Sequence, residues 1–292
     1  MQRVSLVPIS AALRLEDAMD EVLGRVLGEL NELEGFSFQI RTVEEKVEGP
    51  FVVLIMSGGS ERKTVDFVAD KPDPIVLLAH PSNNSLPAAL EIATYLQGMG
   101  RQICLVQTLG NWIEEVRDLL TAILARNRLQ GLRIGRIGYE DETRYPFTGD
   151  PVELIRKNWG PEVVDIPFVE VIERYQQYSG HPQATEPAQG IVQASTGVKE
   201  PSADDLRGAA AVYLALKEIA GDYELAAVAL KCFDLLPALQ NTACFALAKL
   251  NEDGIVAACE GDIISALGML LLRELTGEPS FLANPSMVDV EA

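Results

Sequence analysis

The chain has 292 residues, 48% of them apolar, enough to bury one large core or two modest ones. No apolar run approaches the roughly 18–20 residues that span a bilayer. The opening MQRVSLVPIS lacks a signal-peptide pattern, so a cytoplasmic protein with no membrane partner is expected. The net charge of −19, from 24 basic and 43 acidic residues, argues against a nucleic-acid partner, because phosphate contacts need clustered Lys and Arg. Neutral ligands such as sugars suit this charge better than polyphosphates.

Four scattered cysteines, Cys104, Cys232, Cys244 and Cys259, form no CxxC pair and read as reduced structural thiols. With only His80 and His181 available, a His-rich zinc site is ruled out.

In chain order, residues 4–9 read as a strand. Residues 11–34 read as an amphipathic helix with Leu13, Met19, Val22, Leu23, Val26, Leu27 and Leu30 on one side. A strand at 51–56 is followed by the turn Ser57-Gly58-Gly59-Ser60, and a strand at 75–79 by HPSNNSLP and a helix at 88–99. A strand at 102–107 and a helix at 112–126 complete this section. The alternation predicts a parallel sheet with helices on both faces. The nearly all-apolar runs VVLIM and IVLLA are those of strands covered on both sides.

A second section opens after Gln130 and Gly131 with a strand at 132–138, carrying RIGRIG. The turn Gly149-Asp150-Pro151, a short helix at 151–158, a strand at 162–167 and a helix at 169–178 follow, with Glu140-Asp141-Glu142 as an exposed acidic turn. Residues 179–202, rich in Gly, Pro, Gln, Thr and Ser, predict a long irregular connection. A helix at 204–219, a strand at 225–232 and a helix at 237–250 come next. The fold class is therefore α/β, with two tandem open parallel-sheet, flavodoxin- or Rossmann-like three-layer domains, 1–130 and 131–292.

The last stretch, IVAACEGDIISALGMLLLRELTGEPSFLANP, carries the candidate chemistry. Residues 255–259 predict a buried strand, Asp262 an N-cap, 263–275 a helix, Gly277 its left-handed end and 280–283 a second strand. Such a unit is most simply a right-handed parallel crossover. It would bring Glu260 and Asn284 to one edge of the sheet, about 5 Å apart if the strands are neighbours. Open α/β sheets bind ligands at that edge. A carboxylate and an amide oxygen there could hold a hard cation or sugar hydroxyls.

The motif CEGD, the helix ISALGMLLLRELTGEPSFLANP and the spacing between them resemble the L-fucose and L-arabinose isomerase superfamily, most closely its L-fucose isomerase-like branch. The resemblance is strongest over 225–291 and weaker over 74–167. It implies a metal-dependent aldose–ketose isomerase working through an enediol, with Mn²⁺ as cofactor and a trimeric or hexameric homo-oligomer. Glu260 matches the family's metal ligand and proton-transfer group, Asp262 a neighbouring acidic position, and Asn284 a second ligand that is aspartate in the fucose isomerases. Asparagine cannot act as a general base, which leaves a non-catalytic carbohydrate-binding or regulatory protein as the alternative.

His80, Asn83 and Asn84, in the polar loop after a buried strand, and Lys231, closing another, are the candidate sugar contacts. In that family a third, mostly β domain supplies a histidine ligand. This chain stops where the family enters it, so it reads as the two N-terminal domains and does not complete the metal site by itself.

Overall fold

The computed structural model describes residues 1–11, 16–138 and 150–289. The chain divides into two compact units, Met1–Leu124 and Ala125–Ala292. Leu13, the acidic turn at 140–142 and Gly149 lie outside the described residues.

The first unit runs β1 (Gln2–Ile9), α1 (Glu16–Leu30), β2 (Phe36–Ile40), β3 (Phe51–Ile55), α2 (Glu61–Val68), β4 (Ile75–Ala79), α3 (Ser85–Gly98), β5 (Ile103–Gln107) and the start of α4 (Trp112–Leu129). All strand pairs are parallel, in the order β2-β1-β3-β4-β5. The central strands β3 and β4 are buried at every position, whereas the edge strand β2 buries only Phe38. Strand alternation sends Val52, Leu54, Val76 and Leu78 to a core shared with Val26, Leu30, Val116 and Leu120. It sends Val53, Ile55, Leu77 and Ala79 to the opposite core, against Phe67, Ile92 and Leu96.

The second unit runs β6 (Arg133–Ile137), α5 (Pro151–Asn158), β7 (Glu162–Ile166), α6 (Phe168–Tyr178), α7 (Thr185–Ala194), α8 (Ala203–Asp222), β8 (Ala227–Leu230), α9 (Leu235–Leu239), α10 (Cys244–Glu252), β9 (Val256–Ala258) and α11 (Ile263–Thr276). Its sheet is also parallel, in the order β7-β6-β8-β9. Val228, Leu230 and Ala257 face a core with Leu216, Ile219, Leu247 and Leu250. Ala227, Ala229, Val256 and Ala258 face Ile263, Ala266 and Leu270 of α11. Because every strand is parallel, the turns that follow them emerge along one edge of each sheet.

Three expectations are corrected. Residues 179–202 are not wholly irregular: they contain a 3₁₀ turn, Pro182–Ala184, and α7, held by Ala184 and Ala188 packing on Ala210 of α8. The helix expected over 237–250 is two helices, broken where Gln240 takes a left-handed φ of 50°. Residues 280–283 form no strand; β9 is the sheet edge and 279–289 are irregular. Pro279 and Pro285 bracket that segment and have no N–H to offer a ladder, and Phe281 is 91% exposed instead of facing a core. The strand β2 and the helix α2 were not expected from the sequence. Among the described residues no helix is long and apolar enough to cross a membrane.

Candidate functional site

The turn from β9 into α11 is fixed by backbone contacts to the end of β8. Glu260 and Gly261 both adopt left-handed φ values, 59° and 67°. The Gly261 N–H donates to the Leu230 carbonyl at 2.8 Å, and the Asp262 N–H to the Cys259 carbonyl at 3.2 Å. The Glu260 N–H donates to Cys232 Sγ at 3.4 Å. Asp262 then caps α11. Its Oδ1 accepts from the N–H groups of Ile264 and Ser265 at 3.0 and 2.9 Å, and its Oδ2 from Ser265 Oγ at 2.6 Å. Both oxygens of this carboxylate are occupied by the cap.

Asn284 Nδ2 donates to Glu260 Oε1 at 2.9 Å. The two side chains therefore meet, although the chain returns to Glu260 as an irregular segment and not as a neighbouring strand. Beside them lies a cavity of about 550 Å³. It is lined by Cys232, Phe233 and Leu236 from the end of β8 onward, by Leu247 and Asn251 of α10, by Met269 of α11, and by 279–282. Cys232, Cys244 and Cys259 all line it. Burial, with Cys232 and Glu260 nearby, pushes the Cys259 thiol pKa up, so this group stays protonated at neutral pH. Among the described residues no group of three or more His, Cys, Asp or Glu side chains could hold a metal ion.

Lys231 stands at the end of β8 and forms an ion pair with Asp234 at 3.6 Å. In the first unit, Asn83 and Asn84 both have φ 55° and line a separate hollow of about 500 Å³ with Gly58, Gly59, Glu61 and Glu91.

His80 is a correction: it is fully buried and presents nothing to a ligand. Its Nε2 lies 3.0 Å from the Met56 carbonyl, which can only accept, so Nε2 carries the proton. Its Nδ1 then accepts from Ser82 Oγ at 2.8 Å and from the Ser82 N–H at 3.3 Å. Burial is the main cause lowering the His80 pKa. The Ser57–Ser60 turn is likewise used internally, with the Gly58 N–H on the Asn83 carbonyl at 2.8 Å and the Gly59 N–H on Glu61 Oε1 at 3.0 Å.

Sequence reasoning missed the cavity walls. Phe233, Leu236, Leu247 and Met269 line the cavity, and none of them was singled out from the sequence. The available signal was Phe233, an aromatic residue just past a strand end, which is 63% exposed.

These features define a class, a tandem parallel α/β scaffold with an acidic turn at a strand edge, and comparison with known proteins relates that scaffold, at a distance, to sugar isomerases. The relatives are sulfoquinovose isomerases. The one from Clostridium sp. (strain MSTE9) is 24% identical over 178 residues, 61% of this chain and 39% of the relative. The one from Alkalicoccus urumqiensis is 26% identical over 182 residues, 61% of this chain and 40% of the relative. The one from Priestia megaterium (strain ATCC 12872 / QMB1551) is 42% identical over 55 residues, 18% of this chain and 12% of the relative. The chain thus spans about 40% of the length of the first two. No family model matches. The relationship is to this broader group of isomerases and does not single out the L-fucose isomerase branch.

Proposed function

We propose that the chain supplies two α/β domains of an aldose–ketose isomerase in which Glu260 carries the proton. The supporting observation is the Asn284–Glu260 hydrogen bond at the margin of a cavity on the edge of the sheet where ligands bind. In the proposed reaction the Glu260 carboxylate takes the proton from C2 of an aldose. The carbonyl oxygen at C1 gains a proton from water, giving the enediol. Glu260 then returns its proton to C1 as the C2 hydroxyl gives its own back to water, leaving the ketose. One carboxylate can serve both carbons because they are adjacent. Asn284 has no proton to exchange; its N–H orients the carboxylate.

Mn²⁺ belongs to this reading as a proposal. Such cations favour about six hard ligands. Glu260 and Asn284 offer two oxygen-bearing side chains, Asn284 turns its N–H toward the carboxylate, and no third ligating group gathers with them among the described residues. These residues do not fit a resident ion by themselves. Lys231 is a proposed sugar contact in the second unit, and Asn83 and Asn84 are proposed ones in the hollow of the first unit; assembly as a cytoplasmic trimer or hexamer belongs to the same reading. The relatives' names put sulfoquinovose first among the sugars to try.

The test is an assay of a panel of aldoses, sulfoquinovose included, with and without Mn²⁺, against Glu260→Gln. A proton-transfer role predicts a loss of turnover of about 100-fold or more; unchanged turnover removes Glu260 from the reaction. The second reading, a carbohydrate-binding or regulatory protein, is favoured by the amide at 284 and the missing second carboxylate. Metal-independent binding of sugars by calorimetry, with no turnover, would support it.

A further inference from the structure

We propose that the cavity beside Glu260 takes the apolar substituent of an amphipathic ligand whose hydroxyl-bearing end meets Glu260 and Asn284. The ligand class is a sugar or other polyol carrying an alkyl or aryl group. This rests on the reading of Glu260, oriented by Asn284, as the group that faces the ligand's hydroxyl-bearing end, but does not require turnover.

Four observations carry it. The walls are predominantly apolar, with Leu236, Leu247, Met269 and Leu282 among them. Sugar hydroxyls pressed against such walls would lose water without gaining partners. Of the polar side chains in the lining, Asn251 is already engaged, its Nδ2 donating to the Leu247 and Ala257 carbonyls at 2.9 Å each and its Oδ1 accepting from the Ala257 N–H at 3.1 Å, while Thr242 and Glu252 stand at exposed positions.

The size, about 550 Å³, falls within the roughly 300–1,000 Å³ of small-molecule pockets. Ser280, which also lines the cavity, has a buried Oγ with no hydrogen-bond partner among the described residues. An unmet buried hydroxyl is costly, and turning the Ser280 side chain toward the cavity would let an ether or hydroxyl oxygen of the ligand, where head and tail join, satisfy it. Finally, Phe233 and Phe281 leave most of their rings exposed at the rim, where an apolar group would cover them.

The test is calorimetric titration of the full chain with methyl, butyl and hexyl β-D-glucoside, each below its aggregation threshold. Affinity should climb along the series by up to about fourfold per buried methylene. Ala248→Trp and Thr242→Trp place bulk at exposed lining positions that the fold does not need, and should flatten the climb while leaving the thermal midpoint unchanged. Glu260→Gln should weaken all three members by a common factor and preserve the climb.

Equal affinities along the series, or a climb that persists in both tryptophan variants, would overturn the cavity assignment. A climb with no response to Glu260→Gln would overturn the two-ended ligand. Absence of isomerase turnover alongside a climb that responds as expected would count only against the isomerase reading; turnover without a climb would count only against this one.

Discussion

The β4–α3 loop of the first unit and the β9–α11 turn of the second solve the same geometric problem in opposite ways. Each leaves a buried parallel strand, passes through two successive left-handed residues and enters a helix. In the first, the polar groups satisfy one another. His80 uses both ring nitrogens, while Ser85 Oγ accepts from the His80 N–H at 3.0 Å and donates to the Ile55 carbonyl. In the second, Asp262 takes up the structural duty of the cap. That leaves the neighbouring Glu260 carboxylate to an exposed amide and a cavity margin. A polar loop at a ligand-binding edge is therefore no guide to function until its internal hydrogen bonds have been counted.

Substitutions can break this contrast from either side. Glu260→Gln carries the largest expected effect, the 100-fold or greater fall in turnover given above, with the urea midpoint unmoved because the carboxylate is not part of a packed core. Ser85→Ala should do the reverse. Leaving the buried His80 N–H unpartnered and deleting the bond to Ile55 should cost about 2 kcal/mol of stability, read by urea titration, with turnover per folded molecule unchanged.

Asp262→Ala should cost about 1 kcal/mol, the usual worth of an N-cap. A catalytic loss beyond that carried by the folded fraction would give Asp262 a chemical role as well. The smallest effect is in pH. His80 is held neutral in the fold, with its pKa below the ordinary 6.5, so the unfolded chain binds the extra proton. Its contribution is complete above about pH 6.5 and is lost as pH falls toward the folded value. Urea midpoints should decline from pH 7 to 5.5, and less so in His80→Gln.

The strands with all-apolar runs, such as β3 and β4, were legible because burial on both faces leaves a composition that little else imitates. The helix α2 was not: its first turns are charged, and Thr64, Phe67 and Val68 alone are buried. The helix α7 was hidden for another reason. Its packing depends on small side chains, Ala184 and Ala188 against Ala210, and a sequence window rich in Gly, Pro and Gln gives no hint of a partner 20 or so residues away. The meeting of Glu260 and Asn284 was expected only by way of a neighbouring strand at 280–283, which does not form. Local apolarity at 280–283 suggested a strand, and the flanking prolines decided otherwise. The cavity was illegible because its walls come from the end of β8, from α10, from α11 and from residues 279–282, which only the fold brings together.

The backbone at position 260 sets two kinds of selection against each other. A left-handed conformation costs an L-residue with a Cβ roughly 1–2 kcal/mol that glycine escapes, and Glu260 sits there at φ 59°. A library randomised at this codon and sorted only for heat tolerance should drift to glycine. The same library sorted for ligand turnover should hold glutamate against that pull, and the gap between the two outcomes would measure how strongly chemistry overrides conformational comfort at a single residue.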